Sequence, residues 1–265
     1  MTDREDGAVG LSICVLASGS KGNAIYISDG ACSILLDAGL SGKAVELRMR
    51  ERDLDPAALT AILVSHEHSD HIQGVGVLSR RYRLPVYIAR NTLKAAPQLG
   101  RLHVVKHFEC GHGFFIGRLS IHPFSTSHDA ADPVGFTFQR NGDKIGVATD
   151  LGIVTAMVKE HLKECALLVL EANHDPDMLI NGPYPWPLKQ RIKGRSGHLS
   201  NHDSMALLSE IQHDNLKHVV LAHLSEINNT PETAYQTVGK AITRCRAHLS
   251  VALQDSCGEL ICLGS

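Results

Sequence analysis

Short apolar runs separated by turn residues dominate the first part of the chain, a pattern typical of antiparallel strands joined by hairpins. Residues 18–23 predict the first of these turns. Ser41 stands where a helix N-cap is expected, before a segment that mixes apolar and charged positions. The pattern predicts strands over 11–17, 24–28, 32–36 and 60–64, and a helix over 43–51.

From residue 72 onward, strand and helix patterns alternate along the chain. The predicted strands cover 86–88, 119–124, 134–139, 144–148, 166–170 and 218–221. One predicted helix follows His71, a second begins near Asn91, and three more cover 154–163, 202–213 and 231–244. The two last strands, 249–253 and 259–263, are predicted to form a closing hairpin. These elements predict an α/β fold of two mixed sheets packed face to face with helices outside. We expect one domain over residues 1–265, with about the first ten residues frayed.

Composition and charge narrow the class of protein. The 265 residues include 26 basic and 28 acidic side chains, so the net charge is -2 and a polyanion would have to be held by a local patch. Aromatic residues make up 5% of the chain, which argues against a surface that grips single strands by stacking alone. Without a targeting segment or a long apolar run, we expect a cytoplasmic protein with no membrane contact. The seven cysteines form no C-x-x-C pair and are predicted to be reduced, structural thiols.

The most informative segment is Ser65-His66-Glu67-His68-Ser69-Asp70-His71, which directly follows the apolar run 61–64. Imidazole and carboxylate groups at the end of a buried strand are costly to desolvate without partners, and a metal ion supplies that partner. The spacing offers His66 with His68 as one pair and Asp70 with His71 as another. One loop can therefore reach two adjacent ions. The donor set suits Zn²⁺ and also Mn²⁺ or Fe²⁺, so it does not fix the element.

Four further apolar strands end abruptly in a histidine or an aspartate, at Asp37, His128, Asp150 and His223. A strand-terminal aspartate taken alone is more often a turn former or a helix N-cap. Strand ends that converge at one edge of a sandwich would, however, bring these side chains together with the 65–71 segment. We therefore expect all of them to surround one cleft.

The order of these motifs resembles the five-motif pattern of the metallo-β-lactamase superfamily, and the resemblance covers nearly the whole chain. It implies an αβ/βα four-layer sandwich with a binuclear site. The implied ligands are His66, His68 and His128 for one ion, and Asp70, His71 and His223 for the other. The resemblance further implies that Asp150 bridges the ions and that Asp37 orients a ligand.

Other segments narrow the resemblance to the YycJ/WalJ family of metallohydrolases, which are relatives of RNase Z and RNase J type nucleases. The segments that carry it are 16–23, 127–136, 171–175, 197–201 and 223–231. Asp150 also resembles the phosphodiesterase and glyoxalase branches, because lactamases often have cysteine at the comparable position. The family is associated with exonuclease action on DNA, so DNA is the expected substrate.

Residue chemistry independently agrees with phosphodiester hydrolysis. Two divalent ions can make a bridging hydroxide near neutral pH and can neutralise charge on the phosphate oxygens. His198 resembles the histidine that protonates the leaving group in the RNase Z branch, and Glu171 is expected to hold its tautomer. We therefore assign catalytic roles to Asp70, His198 and Glu171. An ordinary loop histidine is the alternative interpretation of His198.

A run of four basic residues lies between these segments and is the simplest place for a phosphate backbone to bind, although a solvated helix face explains it equally well. It consists of Lys189, Arg191, Lys193 and Arg195. The 18–23 turn lacks the spacing of a phosphate loop, but related nucleases place a turn here beside the active site. Further expected substrate contacts are Ser20, Asn23, His174, His202 and Asn228, with a simple hairpin turn as the alternative for Ser20 and Asn23.

The sequence therefore predicts a binuclear metal-dependent phosphodiesterase with two divalent ions, Zn²⁺ before Mn²⁺ or Fe²⁺. An exonuclease that cleaves DNA by attack of a metal-bridging hydroxide is the leading hypothesis. A hydrolase of a small ester, thioester or cyclic phosphodiester is the alternative. A DNA-binding module with purely structural metals is disfavoured, because structural zinc usually closes its shell with four protein ligands.

Overall fold

A computed structural model describes residues 10–264, in which two mixed β-sheets of seven strands each are found. In spatial order, the first sheet contains β14 (Ile261–Cys262), β1 (Ser12–Ala17), β2 (Ala24–Ser28), β3 (Ser33–Leu36), β4 (Ala61–Leu63), β5 (Pro85–Tyr87) and β6 (Val104–Lys106). Its strands pair antiparallel from β14 to β3 and parallel from β3 to β6. The expected fraying concerns about the first ten residues, of which 1–9 lie outside the described residues.

The second sheet repeats this mixed arrangement. In spatial order it contains β13 (His248–Val251), β12 (His218–Ala222), β11 (Leu167–Glu171), β10 (Asp143–Ala148), β9 (Val134–Arg140), β8 (Leu119–Ser125) and β7 (Phe114–Ile116). Strands β7 to β10 pair antiparallel, and β10 to β13 pair parallel. In both sheets the parallel half therefore brings the carboxyl ends of neighbouring strands to one edge.

The alternation of side chains along each strand explains how the two sheets pack. In β1, Ile13 and Val15 lie in the core between the sheets, where they join residues of the second sheet such as Phe136. Cys14 and Leu16 point to the opposite face and pack in the core beneath the helices. Because β1 is covered on both faces, it forms a continuous buried run. The predicted face-to-face sandwich of sheets with helices outside is confirmed.

Helices cover the outer face of each sheet. Those on the first sheet are α1 (Gly42–Arg50), α2 (Ser69–Ile72), α3 (Val75–Tyr82) and α4 (Arg90–Ala95). Those on the second sheet are α5 (Ala156–Leu162), α8 (Asn201–Ile211) and α9 (Pro231–Gly239), while α6 (Pro176–Asn181) and α7 (Trp186–Ile192) follow β11. The side chains of Ser41, Thr155, Ser200 and Thr230 accept hydrogen bonds at the helix starts, so the predicted Ser41 cap is confirmed. Among the described residues, no helix has the length and apolar character needed to cross a bilayer.

The structure corrects two expectations about local structure and adds two helices that the sequence pattern does not predict. The predicted closing hairpin is wrong, because β13 pairs with β12 in the second sheet whereas β14 pairs with β1 in the first. The helix predicted over 231–244 ends at Gly239. The sequence pattern does not predict α6 and α7, because the prolines at 176, 183, 185 and 187 indicate turns rather than helices.

Candidate functional site

The ends of five strands meet at one edge of the sandwich and are followed by the candidate ligands. Asp37 follows β3 and the 66–71 segment follows β4, both in the first sheet. His128, Asp150 and His223 follow β8, β10 and β12 in the second sheet. The site therefore lies between the two sheets and draws its side chains from both.

Four overlapping groups of ligand-type residues lie at this edge among the described residues, and within each group the candidate ligand atoms lie within 4.8 Å of one another. Two of them, which we call the two clusters, consist of His66, His68 and His128, and of Asp70, His71 and His223. The other two contain Asp150, once with His66 and His71 and once with Glu171, His198 and His223. Asp150 reaches both clusters, because its Oδ1 lies 3.6 Å from the Nε2 atoms of His128 and His223. Its Oδ2 lies 3.3 Å from the Nε2 of His71. The structure thus brings together the two sets that the sequence resemblance implies, with Asp150 between them.

Several of these atoms are buried without a hydrogen-bond partner, which tests whether the site fits metal ions. His66 Nε2, His223 Nε2 and Asp150 Oδ2 have no such partner. A buried polar atom left unpaired costs about 1 to 3 kcal/mol. In addition, His68 Nδ1 and His128 Nε2 face each other at 3.2 Å. Imidazole and carboxylate donors in this number bind divalent ions, so the residues present fit a pair of metal ions.

A buried carboxylate fixes the orientation of His71. Asp37 Oδ2 accepts hydrogen bonds from His71 Nδ1 at 2.8 Å and from Ser65 Oγ at 2.7 Å. Asp37 Oδ1 accepts the backbone N–H of Ser65 at 2.8 Å. With its proton on Nδ1, His71 presents the lone pair of Nε2 to the cluster. Asp37 thus has the geometry required to orient a ligand.

Glu171 makes equivalent contacts to two histidines at once. Its Oε1 accepts hydrogen bonds from His198 Nδ1 at 2.8 Å and from His223 Nδ1 at 3.0 Å. Its Oε2 accepts the backbone N–H groups of Leu151 at 2.8 Å and Leu199 at 3.1 Å. The contact to His198 is the one expected from the sequence, whereas the contact to His223 is not. One buried carboxylate therefore orients both a candidate ligand and a candidate proton donor.

Charge determines the protonation of this pair. Burial alone would raise the pKa of Glu171, but the charges and hydrogen bonds of His198 and His223 lower it to about 2. Burial would lower the pKa of His223, but Asp150, together with hydrogen bonds to Asp70 and Glu171, raises it to about 10. Without metal, the excess of carboxylates thus attracts a proton to His223. A cation bound at the same place would replace that proton.

Three of the strand-terminal residues share an unusual backbone conformation. Asp37, Asp150 and His223 have φ angles of 58°, 55° and 57°. This left-handed region is rarely adopted by residues other than glycine and costs on the order of 1 kcal/mol or more. The same turn at three strand ends directs each side chain to the shared edge. The surrounding strands must therefore hold these residues in place.

A cleft of about 290 Å³ opens onto the two clusters. His198 lines it, as do the predicted substrate contacts Ser20 and Arg191. Tyr184 and Leu188 form an apolar part of the wall that the sequence pattern does not predict. A crevice of about 310 Å³ lies beside β1 and β13, but it is lined mainly by apolar side chains and includes none of the candidate ligands.

The basic run divides into residues that face solvent and one that does not. Arg191 is exposed and forms an ion pair with Asp129 at 2.6 Å, and Lys193 and Arg195 are also exposed. Lys189 is buried, and its Nζ donates hydrogen bonds to the carbonyl groups of Ile180 at 2.6 Å and Gly182 at 2.7 Å. The expectation that Lys189 contacts phosphate is therefore wrong, because its ammonium group is already hydrogen-bonded to carbonyl groups inside the protein.

Three more of the expected substrate contacts are buried residues. Asn23 closes the 18–23 turn through hydrogen bonds with Gly19, and its Nδ2 lies 3.1 Å from the Nε2 of His71. His174 and Asn228 are buried and do not line the cleft. His202 is exposed on α8 and does not line the cleft either. None of these four side chains lines the cleft, so the structure does not bring them to the position expected of substrate contacts.

Comparison with known proteins agrees with this geometry. The sequence model of the β-lactamase superfamily domain matches residues 33–224. The chain belongs to the β-lactamase superfamily. As a member of this superfamily it is a metal-dependent hydrolase, and the predicted family is confirmed.

Two curated relatives in the superfamily are similar over most of their length. Exodeoxyribonuclease YycJ of Bacillus anthracis is 40% identical over 237 residues, which is 88% of this chain and 90% of the relative. Exodeoxyribonuclease WalJ of Streptococcus pneumoniae is 38% identical over 235 residues, 87% of each chain. The resemblance to the YycJ/WalJ family stated from the motifs is therefore confirmed.

Two solved structures share the fold at low sequence identity. The metallo-β-lactamase fold protein YhfI from Bacillus subtilis has a TM-score of 0.74 at 15% identity, covering 96% of this chain and 99% of that chain. The short form of human tRNase Z has a TM-score of 0.62 at 17% identity, covering 81% and 93%. The predicted superfamily fold is confirmed by these similarities.

Proposed function

We propose that this β-lactamase superfamily member is a binuclear phosphodiesterase that acts as an exonuclease on DNA. The observation that carries the proposal is the position of Asp150, whose Oδ1 lies 3.6 Å from a histidine of each cluster. One carboxylate can there serve two ions side by side, the arrangement used to cleave phosphodiesters. The exodeoxyribonuclease names of both curated relatives support DNA as the substrate.

The two clusters would each hold one divalent ion, and we propose Zn²⁺ because imidazole donors predominate. His66, His68 and His128 would hold the first ion, and Asp70, His71 and His223 the second, with Asp150 shared. When bound, a pair of divalent ions lowers the pKa of water and neutralises charge on phosphoryl oxygens. By accepting the Nδ1–H groups of His71 and His223, Asp37 and Glu171 would leave the Nε2 lone pairs of both imidazoles available to hold the ions.

His198 is the candidate proton donor. Its Nδ1 donates to Glu171, so its Nε2 is the nitrogen left for the cleft that the side chain lines. The oxygen that leaves phosphorus needs a proton as its P–O bond breaks, and Nε2 of a protonated His198 can supply it. The Glu171 carboxylate stabilises that protonated ring, because it holds the opposite N–H group in a charge-assisted hydrogen bond.

Basic and polar residues beside the cleft complete the proposed substrate contacts. Arg191 lines the cleft, and its guanidinium can exchange the exposed Asp129 carboxylate for a phosphate group. Ser20 lines the same cleft. Lys193 and Arg195 are exposed on the same segment and are proposed to contact the strand farther from the site.

The test uses purified protein loaded with Zn²⁺ or Mn²⁺. It is given 5′- and 3′-labelled single- and double-stranded DNA, a covalently closed circle, RNA, and bis-p-nitrophenyl phosphate. We expect linear DNA to be shortened from an end, and the closed circle to remain intact. Hydrolysis of the small diester without degradation of any DNA would contradict the nuclease and favour the small-ester alternative. Nicking of the closed circle would contradict exonuclease action.

A further inference from the structure

Tyr184, which lines the cleft, and Trp186 lie on a short segment that leads from the end of α6 into the first residues of α7. The segment is Pro183-Tyr184-Pro185-Trp186-Pro187, which we call the aromatic rim. Three prolines alternate with the two aromatic residues, and each proline fixes its own backbone φ angle near -65° and removes a donor. The aromatic rim is therefore stiff compared with an ordinary loop of the same length.

The buried Lys189 anchors the aromatic rim on both sides. Its side chain starts from the first turns of α7 and donates hydrogen bonds to the carbonyl groups of Ile180 and Gly182, at the end of α6. Asp175 caps the start of α6 by accepting the backbone N–H groups of Asp177 and Met178. The ends of the rim are thus tied together, which explains why a buried ammonium group is present at this position.

The aromatic side chains of the rim are available to a ligand. Trp186 is 58% exposed, and it is the single tryptophan of the chain. The Nζ of Lys193 lies 5.0 Å from the centroid of its ring, a cation–π distance. Tyr184 lines the same cleft as the candidate metal ligands, together with Leu188 and Ile192. An exposed tryptophan and a half-buried tyrosine two residues apart give this segment flat apolar surface that a ligand can contact.

The lining of the cleft therefore combines side chains that suit a charged phosphate with side chains that suit a flat apolar ring. A nucleotide combines these two groups, because its base is linked through the sugar to the phosphate. Bases stack on aromatic side chains with little dependence on sequence. To bring the phosphate of a terminal nucleotide to the ions, a duplex end must release that nucleotide from its partner strand, and the released base needs a new surface.

We propose that the aromatic rim binds unpaired bases at the end of the cut strand, with Tyr184 stacking on the terminal base and Trp186 with Lys193 on its neighbour. This inference rests on the proposed function, because it assigns the substrate of the same site. The rim makes the enzyme selective for strand ends that carry bases and can fray. It plays no direct part in bond cleavage.

The experiment uses the fluorescence of Trp186, which needs no added label. Metal-loaded protein is titrated with a phosphorothioate-linked duplex whose ends carry short unpaired extensions, and with the same duplex in which the extensions are abasic. We expect the normal oligonucleotide to quench the emission and the abasic one to bind roughly tenfold more weakly. Tyr184→Ala should remove most of this preference, and Tyr184→Phe should keep it. Tyr235→Ala, at an exposed tyrosine of α9, is the matched control.

Equal affinity of the native protein for the normal and abasic duplexes would overturn the proposal, as would a Tyr184→Ala variant that keeps the full preference. Circular dichroism and thermal unfolding of each variant show whether it is folded. Cleavage assays on ordinary DNA separate this proposal from the proposed function. Base-dependent quenching without cleavage would support base binding by the aromatic rim and refute the nuclease activity. Cleavage without any base preference would support the nuclease activity and refute base binding by the rim.

Discussion

Replacement of Glu171 by glutamine tests whether one carboxylate organises the site. The four N–H groups of His198, His223, Leu151 and Leu199 point at the two oxygens of this side chain. Glutamine has nearly the same shape but only one oxygen, so its NH₂ group must face either the two imidazoles or the two backbone amides. In either orientation, two of the four N–H groups lose the oxygen that accepts their hydrogen bonds and face the NH₂ group of the glutamine instead.

The size of the effect follows from these contacts. A hydrogen bond to a charged group contributes about 1.5 to 3 kcal/mol, so the loss of two lowers the free energy of unfolding by roughly 3 to 6 kcal/mol. In a protein of this size that corresponds to a fall in melting temperature of roughly 10 °C. If the amide NH₂ faces the imidazoles, His223 shifts its proton to Nε2, which weakens metal binding by about 10- to 100-fold.

Three measurements on Glu171→Gln check this reasoning: thermal unfolding, metal content by elemental analysis, and turnover of the small diester. Glu210→Gln is the matched control, because Glu210 lies on the surface in an ion pair with Lys159 that contributes little to stability. For Glu171→Gln we expect the melting temperature and the turnover to fall, and metal content to fall as well if the NH₂ group faces the imidazoles; for the control we expect no fall in any of the three. A Glu171→Gln protein that matches the control in melting temperature and metal content would refute the assigned role.

Three further predictions concern the same site. His198→Ala should lower turnover by roughly 100- to 10,000-fold with metal content unchanged, whereas the exposed His202→Ala should leave turnover unchanged; loss of metal in His198→Ala would contradict its role as proton donor. Asp150→Ala should lose at least one ion per chain in elemental analysis, and full occupancy would show that Asp150 is not shared. After chelation, the protonated His223 stabilises the fold fully below its ordinary pKa of 6.5, and this contribution is lost as the pH rises to its folded pKa of about 10. Urea unfolding of the chelated protein should therefore give a lower free energy at about pH 9 than at about pH 7, and a rise would contradict it.

The sequence predicts most of this site because its ligands follow strands with strong apolar patterns. The run 61–64 before His66 and the run 145–148 before Asp150 indicate buried strands whose ends must be polar. Parallel pairing then places those ends at one edge. The split of the histidines into two clusters, by contrast, depends on family resemblance, because spacing alone does not show which strand of the second sheet faces which loop.

Other features depend on tertiary contacts that leave little trace in local pattern. The sequence pattern indicates that Lys189 is one more exposed basic residue, yet the carbonyl groups at the end of α6 bind its ammonium group. Glu171 contacts His223, which is 52 positions away in the sequence and follows the neighbouring strand β12. The prolines of the aromatic rim indicate a turn, and only the position of the rim beside the cleft indicates that it binds a ligand.

The location of the ligands between the two sheets has a consequence for the life of the protein in a cell. Ions held by residues of both sheets act as a cross-link between the halves of the molecule, and they stabilise the folded state by mass action. At a free metal concentration of a hundred times the dissociation constant, this contribution is about 2.7 kcal/mol. Proteases degrade the small unfolded fraction, which grows as that contribution disappears. A shortage of metal would therefore reduce the amount of this protein as well as its activity, and abundance would follow metal supply.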